Sequence, residues 1–308
     1  MDLKSSYISG FGIRRDFVRV RGADALRFLQ GMWTSDLKLA ASYAPATTSS
    51  YLLNIKGRPV SPAQILCVDE KDFVLAVPEG WGPKVVEALD RYIVADDVEL
   101  SLETRWKAWI LIDDASVETS RLEARVQKDA SKVFTASRLA SDGWLLPEGR
   151  YSPEQLELWL TDESRLPNFA PLSSEEQTRL RIDAGLAEWA KDFSEESLIL
   201  EYPFADEISF HKGCYIGQEV VARGTYRGQV PKVFARFQAA AALKEGGFVF
   251  RSDDPTKPIG KMTTVLGARA LGQIRLRDIE NATLVAELKE GGTAVLEKVD
   301  FLHSKVTE

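Results

Sequence analysis

The 308-residue sequence predicts an α+β protein whose last part is all-β, on three observations. Strand-like runs joined by turn signals alternate with amphipathic, helix-like segments in the first two thirds of the chain. Helix-capping patterns recur at Ser152 and Ser173. From a boundary near Val230 the texture changes to short β-prone runs punctuated by glycine.

Phe17-Val18-Arg19-Val20 reads as a strand, and Ala25, Phe28, Leu29 and Met32 then fall at i, i+3, i+4 and i+7, the apolar stripe of an amphipathic helix. The Ala/Ser/Thr-rich stretch Ala40 to Ser50 reads as a connection. Strands are expected at Tyr51 to Ile55, Gln64 to Val68 and Phe73 to Val77, with turns between them that make hairpins. Pro83 suits the first turn of a helix carrying Val86, Leu89, Tyr92 and Ile93 on one side, because a helix start leaves that N–H unbonded anyway. Trp106 to Ile112 returns to strand character. Ser152-Pro153-Glu154-Gln155 combines a capping-box pattern with proline at the first helical position and predicts a helix through Leu160. Ser173 to Glu176 repeats that logic ahead of Leu180, Ile182 and Leu186. The runs Val233 to Phe237, Phe248 to Phe250, Gly260 to Val265, Gly272 to Leu276 and Ala294 to Val299 have the spacing of a small antiparallel barrel or sandwich.

Hydrophobic residues make up 44% and charged residues 28%, ordinary globular usage in a chain long enough for two or three domains. A net charge of -7 argues against a surface built to hold polyanions, so nucleic acid is not an expected partner, although a local basic patch can still bind a small anion. No apolar run reaches the roughly 18 residues of a membrane helix. The start Met1-Asp2-Leu3-Lys4-Ser5-Ser6 lacks a basic region followed by an apolar stretch, so a cytoplasmic protein with no membrane partner is expected. Cys67, Cys214, His211 and His303 fall short of a zinc cage of the usual spacing, and no metal site is expected.

Reactive side chains concentrate in Ile208-Ser209-Phe210-His211-Lys212-Gly213-Cys214-Tyr215-Ile216-Gly217-Gln218-Glu219-Val220-Val221-Ala222-Arg223. Cys214 follows His211 and Lys212 and precedes an expected helical turn, so a nearby cation and a helix N-terminus can both stabilise its thiolate. With equal weight it reads as a small buried hydrophobe. Glu219 and Arg223, four apart, read as a surface pair on that helix. Lys212, Arg223 and Arg227 lie among Gly213, Gly217, Gly224 and Gly228, a pattern that fits either an anion cradle or an ordinary basic loop, and no Walker or dinucleotide fingerprint decides between them. His211 has no orienting carboxylate or amide beside it, which disfavours a cysteine-histidine hydrolase.

The run Lys212-Gly213-Cys214-Tyr215-Ile216-Gly217-Gln218-Glu219, continuing to Arg223, resembles the signature of YgfZ-type folate-binding proteins, which are related to the glycine-cleavage T protein and to mitochondrial iron-sulfur assembly factors. Phe28-Leu29-Gln30-Gly31 with Thr34-Ser35-Asp36 resembles the family's Leu-Gln-Gly helix end and Thr-Asn-Asp-like turn, with Ser35 in place of the usual asparagine. Lys56-Gly57-Arg58 resembles the next landmark, Arg181-Ile182-Asp183-Ala184-Gly185-Leu186 the Arg-x-Glu-x-Gly segment shared with the T protein, and Pro258-Ile259-Gly260-Lys261-Met262-Thr263-Thr264 a strand of the C-terminal barrel.

This resemblance implies a T-protein-like arrangement of three domains around a central opening that holds folate. Residues 1–49 with 171–229 would form a discontinuous first domain, 50–170 an inserted α+β domain, and 230–308 an antiparallel β-barrel. It implies a folate-binding factor supporting assembly or repair of iron-sulfur clusters, with tetrahydrofolate or a related reduced folate as cofactor. Iron-sulfur assembly proteins and iron-sulfur client enzymes are the implied partners, and Cys214 the functional thiol. The implied folate contacts are Lys212, Arg223, Arg227, Asp183, Glu219 and Tyr215, with the cations toward the glutamate carboxylates and Asp183 near the opening. In the aminomethyltransferase branch a carboxylate just after the hairpin acts on the folate amine, and Gly57 to Leu66 contains no Asp or Glu. That departure counts against aminomethyl transfer, and leaves a one-carbon transferase or demethylating enzyme as the alternative reading.

Overall fold

The structure is a computed structural model that describes residues 7–113, 125–128, 131–139, 143–147, 155–226 and 230–302. The chain forms two compact units, Met1–Leu172 with Asp206–Gln218, and Ser173–Ala205 with Glu219–Glu308.

The first unit opens with β1 (Tyr7–Ile13), β2 (Arg15–Arg21), α1 (Ala25–Met32) and the short α2 (Leu37–Ala41). The hairpins β3 (Ala46–Leu53), β4 (Pro59–Asp69) and β5 (Asp72–Pro78) follow, then α3 (Gly82–Asp90) and β6 (Glu99–Glu103). β7 (Lys107–Asp113), β8 (Arg125–Lys128), β9 (Ser131–Thr135), β10 (Ser137–Leu139), β11 (Gly143–Pro147), β12 (Gln155–Leu160) and β13 (Ala170–Pro171) complete it. Seven strands pair in the order β6-β2-β5-β4-β3-β9-β8, and six in the order β10-β11-β12-β7-β1-β13. The division expected between residues 49 and 50 falls inside β3, and strands from both sides of it share the seven-stranded sheet.

Layers follow from which faces are apolar. The stripe Ala25, Phe28, Leu29 and Met32 of α1 is buried as its spacing predicts, and with Val85 and Leu89 of α3 it covers Val18, Val20, Ile65, Leu75 and Val77 on one face of the seven-stranded sheet. The other face of that sheet meets the six-stranded one, where Phe17, Val74 and Ala76 pack with Trp144, Leu146 and Trp159. Tyr92 and Ile93 lie beyond the end of α3 rather than on it, and Tyr92 is exposed.

Two expectations are corrected. The stretch 40–50, expected as a connection, contains half of β3, with Thr47, Thr48 and Ser50 buried. Its polar composition misleads because the hydroxyls are bonded inside the protein: Gln64 Nε2 donates to Thr47 Oγ1 at 2.6 Å, and Ser49 Oγ donates to Gln64 Oε1 at 2.6 Å. The helix expected from Ser152 through Leu160 is also absent where it can be judged. Ser152 to Glu154 lie outside the described residues, and Gln155–Leu160 is strand β12, buried throughout and paired with both β11 and β7. A period of two is written in it: Leu156, Leu158 and Leu160 belong to one apolar cluster and Trp159 to another.

The two sheets are also joined by a buried ion pair. Arg15 of β2 donates from Nε and Nη2 to Glu157 of β12 at 2.9 and 3.1 Å, and Trp159 Nε1 donates to the same carboxylate at 2.8 Å. The Glu157 side chain has no solvent exposure.

In the second unit α4 (Ser174–Ala184) begins with the capping box expected at Ser173 and Glu176, and ends at Gly185 in the left-handed conformation. The chain passes between units within α5 (Gln218–Tyr226). Strands β14 (Lys232–Ala239), β15 (Phe248–Arg251), β16 (Gly260–Leu266), β17 (Arg269–Arg275), β18 (Leu284–Glu287) and β19 (Thr293–Phe301) close into a barrel in the order β14-β17-β16-β15-β18-β19. Of the two architectures left open by the strand spacing, this is the barrel, and closure removes the unpaired edges of a sandwich. β18 carries no separate signal in the sequence reading.

Replacing Arg15 by Met removes the bidentate partner of a fully buried carboxylate, and the expected loss of stability is about 3 to 5 kcal/mol. Urea unfolding of Arg15→Met and of Arg15→Met with Glu157→Gln checks this, with the double variant expected to be the more stable of the two. A single variant within about 1 kcal/mol of wild type would show that the pair does not hold the sheets together.

Candidate functional site

Between the end of α1 and the start of α2, residues 33–36 are held by side chains. Asp36 caps α2, accepting from the backbone N–H groups of Lys38 at 3.1 Å and Leu39 at 3.4 Å. Gln30 braces this cap, donating from Nε2 to Asp36 at 2.9 Å and accepting from the Leu37 N–H at 2.7 Å. Thr34 and Ser35 are fully buried. The Thr34 hydroxyl donates to the Glu207 carbonyl at 2.7 Å, and Ser35 Oγ lies 3.0 Å from the same carbonyl and 2.5 Å from that of Ser49. The Ser209 N–H returns a bond to the Thr34 carbonyl at 2.9 Å.

Onto this turn the segment 206–218 delivers Lys212. Its Nζ donates to the carbonyls of Trp33 and Ser35, each at 2.7 Å, and its backbone N–H donates to Ser209 Oγ at 3.2 Å. The residue is buried, and burial pushes the amine down to about 7; Asp36 pulls it up and Lys38 pushes it further down. A neutral amine keeps two N–H groups, enough for both carbonyls, so the clamp survives deprotonation. Nζ also lies 5.2 Å from the Tyr215 ring centroid. Tyr215 is itself buried, which raises its phenol above the ordinary value.

Cys214 sits between these two buried anchors and is exposed. The small buried hydrophobe is therefore not its role. Cys67 is the opposite case, buried in the sheet with its thiol pushed up to about 12 by burial and then by the carboxylates of Asp69, Glu70 and Asp72.

Gly217 fixes the far end of the segment. Its φ is +82°, and a Cβ there would stand 2.6 Å from the Asn54 carbonyl oxygen and 3.1 Å from Gly57 Cα. The partner is the β3–β4 turn, where Asn54 Oδ1 accepts from the N–H groups of Lys56 at 2.9 Å and Arg58 at 3.2 Å. The Ile216 N–H donates to the Gly31 carbonyl at 3.2 Å. Gln30-Gly31, Thr34-Ser35-Asp36, Lys56-Gly57-Arg58 and Lys212 through Gly217 thus form one contiguous assembly.

The other candidate residues are placed differently. Arg223 pairs with Glu219 on an exposed face of α5, as the four-residue spacing predicts. Arg227 lies outside the described residues. Asp183 belongs to the second unit, where its carboxylate pairs with Arg269 and its carbonyl accepts from Arg236. The buried charged member of that segment is Arg181, which the sequence shows only as part of the Arg-x-Glu-x-Gly resemblance. It pairs with Asp192 and donates to Thr264 Oγ1 at 2.6 Å, while Asp192 accepts from the hydroxyls of Thr263 at 2.5 Å and Thr264 at 2.8 Å. Only its neighbour Ile182, on the apolar side of α4, could have hinted at this.

Gly217→Ala forces a side chain into a left-handed residue packed on backbone, and a loss of about 1 to 3 kcal/mol is expected. Gly213→Ala meets no atom within 4 Å and should stay within about 0.5 kcal/mol of wild type. Denaturation midpoints of the two variants measure the contrast, and equal effects would show that Gly217 is not an anchor.

For Lys212 the sign follows from its depressed pKa. Between about 7 folded and the ordinary 10.5, the unfolded chain binds the proton more readily, so this group adds stability as pH rises through that window and is flat below it. Wild type should therefore gain on Lys212→Met between pH ~7 and ~10 in urea midpoints. A pH-independent difference rejects a buried titrating amine.

Residues 232–300 match the family model of the CAF17 C-terminal beta-barrel domain. An uncharacterized protein of Haemophilus influenzae is 28% identical over 211 residues, covering 68% of this chain and 66% of that protein. The iron-sulfur cluster assembly factor IBA57 homolog, mitochondrial, of Dictyostelium discoideum is 23% identical over 278 residues, covering 79% of this chain and 66% of its own. The chain spans 66% of the length of both relatives. The crystal structure of glycine cleavage system aminomethyltransferase T from Bartonella henselae covers 98% of this chain and 86% of its own, with a TM-score of 0.76 at 16% identity, a likeness of fold alone. The chain has the aminomethyltransferase T fold, and its C-terminal barrel is of the CAF17 type.

Proposed function

We propose that this chain is a folate-binding factor that supports assembly or repair of iron-sulfur clusters in client enzymes, with Cys214 as its working thiol. The observation that carries the reading is the placement of Cys214, exposed between Lys212 and Tyr215, both buried, on a segment tied down by Gly217. A thiol presented from a rigid base reaches another protein without the chain first having to order itself. Similarity to a protein named as an iron-sulfur cluster assembly factor supports the same reading. The cluster is cargo. Of the two cysteines Cys67 is buried, so Cys214 offers one thiolate to a cluster whose other ligands come from assembly proteins or clients.

Tetrahydrofolate or a related reduced folate is the proposed cofactor, supported by the aminomethyltransferase T fold, and supplies one-carbon chemistry when bound. Arg223 fits its glutamate carboxylates. Its partner Glu219 is an exposed i,i+4 residue, and such a pair, worth about 0.3 to 0.5 kcal/mol, is readily exchanged for a ligand. Lys212 does not fit an anion contact, since its amine is buried on two carbonyls; it positions the Cys214 segment. Tyr215 backs that amine, and Asp183 stays with Arg269.

A folate-dependent one-carbon transferase or demethylating enzyme is the second reading. Against aminomethyl transfer stands the strand after the hairpin, where the polar side chains Ser61 and Gln64 are buried. Ser61 Oγ donates to the Pro62 carbonyl at 2.8 Å, and Gln64 is bonded to Thr47 and Ser49. No acid or base is presented there.

Cys214→Ser, at an exposed position, should keep the melting temperature to within about 0.5 kcal/mol of stability, yet fail to restore iron-sulfur enzyme activity in cells lacking the protein. Full rescue by the serine variant overturns the thiol role. Tetrahydrofolate at its dissociation constant should stabilise by about 0.4 kcal/mol, so a melting temperature unmoved at millimolar ligand overturns the folate part independently.

A further inference from the structure

Away from the Cys214 segment, the core between the two sheets of the first unit opens into a cleft of about 310 Å³, at the small end of the range for ligand pockets. Its apolar floor is Trp106 and Trp144 with Val68. That floor is braced from below: the Trp106 ring centroid lies 5.6 Å from Phe17 and 5.9 Å from Trp159, and Trp144 is buried in the same cluster. Both indoles are therefore packed against the aromatic core beneath the cleft.

The charged side chains of the cleft divide into two kinds. Arg19 is neutralised by Asp72, to which it donates from Nε at 2.8 Å and Nη2 at 2.6 Å, with Glu103 3.8 Å away. Arg105 and Arg138 are exposed and, among the described residues, neither has a carboxylate within 4.0 Å. Arg138 instead places its guanidinium carbon 5.8 Å from the Trp144 ring centroid. The remaining acid, Asp69, is exposed and accepts from the Lys71 N–H at 2.7 Å. Arg21 Nε lies 3.6 Å from Asp72, so Arg19 and Arg21 balance Asp72 and Glu103, and the two guanidinium groups of Arg105 and Arg138 against the one carboxylate of Asp69 leave the cleft positive on a chain whose net charge is -7. Thr161 adds a hydroxyl to the wall.

We propose that this cleft binds a small aromatic anion, a single planar ring system bearing a carboxylate or a phosphate. The ring lies on the indole floor, where aromatic faces pack, and the anion meets Arg105 and Arg138, whose planar forks match either group bidentately. The proposal is independent of the role given to Cys214 and of reduced folate.

The test uses the full chain and the indole N–H resonances of Trp106 and Trp144, assigned with Trp106→Phe and Trp144→Phe. The probes are benzoate and adenosine 5′-monophosphate, with acetate and inorganic phosphate as their ringless counterparts. At least one ring-bearing anion should shift both resonances saturably, with a dissociation constant below about 1 mM and about tenfold or more tighter than its ringless counterpart. Benzoate as the tighter probe identifies the carboxylate, and the nucleotide the phosphate. Arg105→Gln with Arg138→Gln, both exposed and so expected to fold as wild type, should weaken that binding about tenfold or more. No saturable shift with either ring-bearing probe, equal binding of the ringless counterpart, or unchanged binding in the double variant overturns the proposal.

Discussion

Two hydrogen bonds from one buried amine, Lys212 Nζ to the carbonyls of Trp33 and Ser35, hold together the part of the first unit on which its functional reading rests. The turn between α1 and α2 is buried, and backbone carbonyls in such a place need donors they cannot find in water. The chain supplies them from a residue about 180 positions later. Because that donor must reach in at one position and orientation, the neighbours of Lys212 are fixed with it. Cys214 faces solvent as a consequence of where Lys212 and Tyr215 are buried.

The first unit solves the problem of buried charge in two ways. Glu157 is met by Arg15, which enters with it and supplies two parallel bonds. Among the described residues Lys212 has no carboxylate bonded to it, only neutral oxygens, and burial lowers its proton affinity instead. The first arrangement ties sheet to sheet. The second ties a late segment to an early turn in a form that tolerates loss of the proton, since both bonds need N–H groups and not a charge.

Much of this was legible in the sequence, and the parts that were not share a cause. The α1 stripe, the capping box at Ser173 and the barrel strands follow from local periodicity, which one element carries by itself. The first part of β3, Ala46 to Ser50, is hidden because its threonines and serines are satisfied by Gln64 and by the α1–α2 turn, partners that local composition does not reveal. β12 is hidden behind the helix-start pattern of Ser152 and Pro153, while the alternation of Leu156, Leu158 and Leu160 marks the strand. The run around Cys214 is conspicuous in its residue types, yet nothing local says that Lys212 points inward and Arg223 outward. In the Arg181 segment the same ambiguity hides the buried network, which belongs to Arg181 and Asp192.

The first unit is written in two pieces, and residues 173–205, which separate them, belong to the second. A ribosome therefore finishes the sheets and helices of the first unit well before it makes Lys212, and until then water must take the place of its amine on the carbonyls of Trp33 and Ser35. The last piece to arrive carries Cys214, so the nascent chain exposes its thiol in the place the fold assigns only after the surrounding architecture already exists. Splitting the chain at Leu172 would produce a fragment with every strand of both sheets and without the segment that carries Lys212 and Cys214.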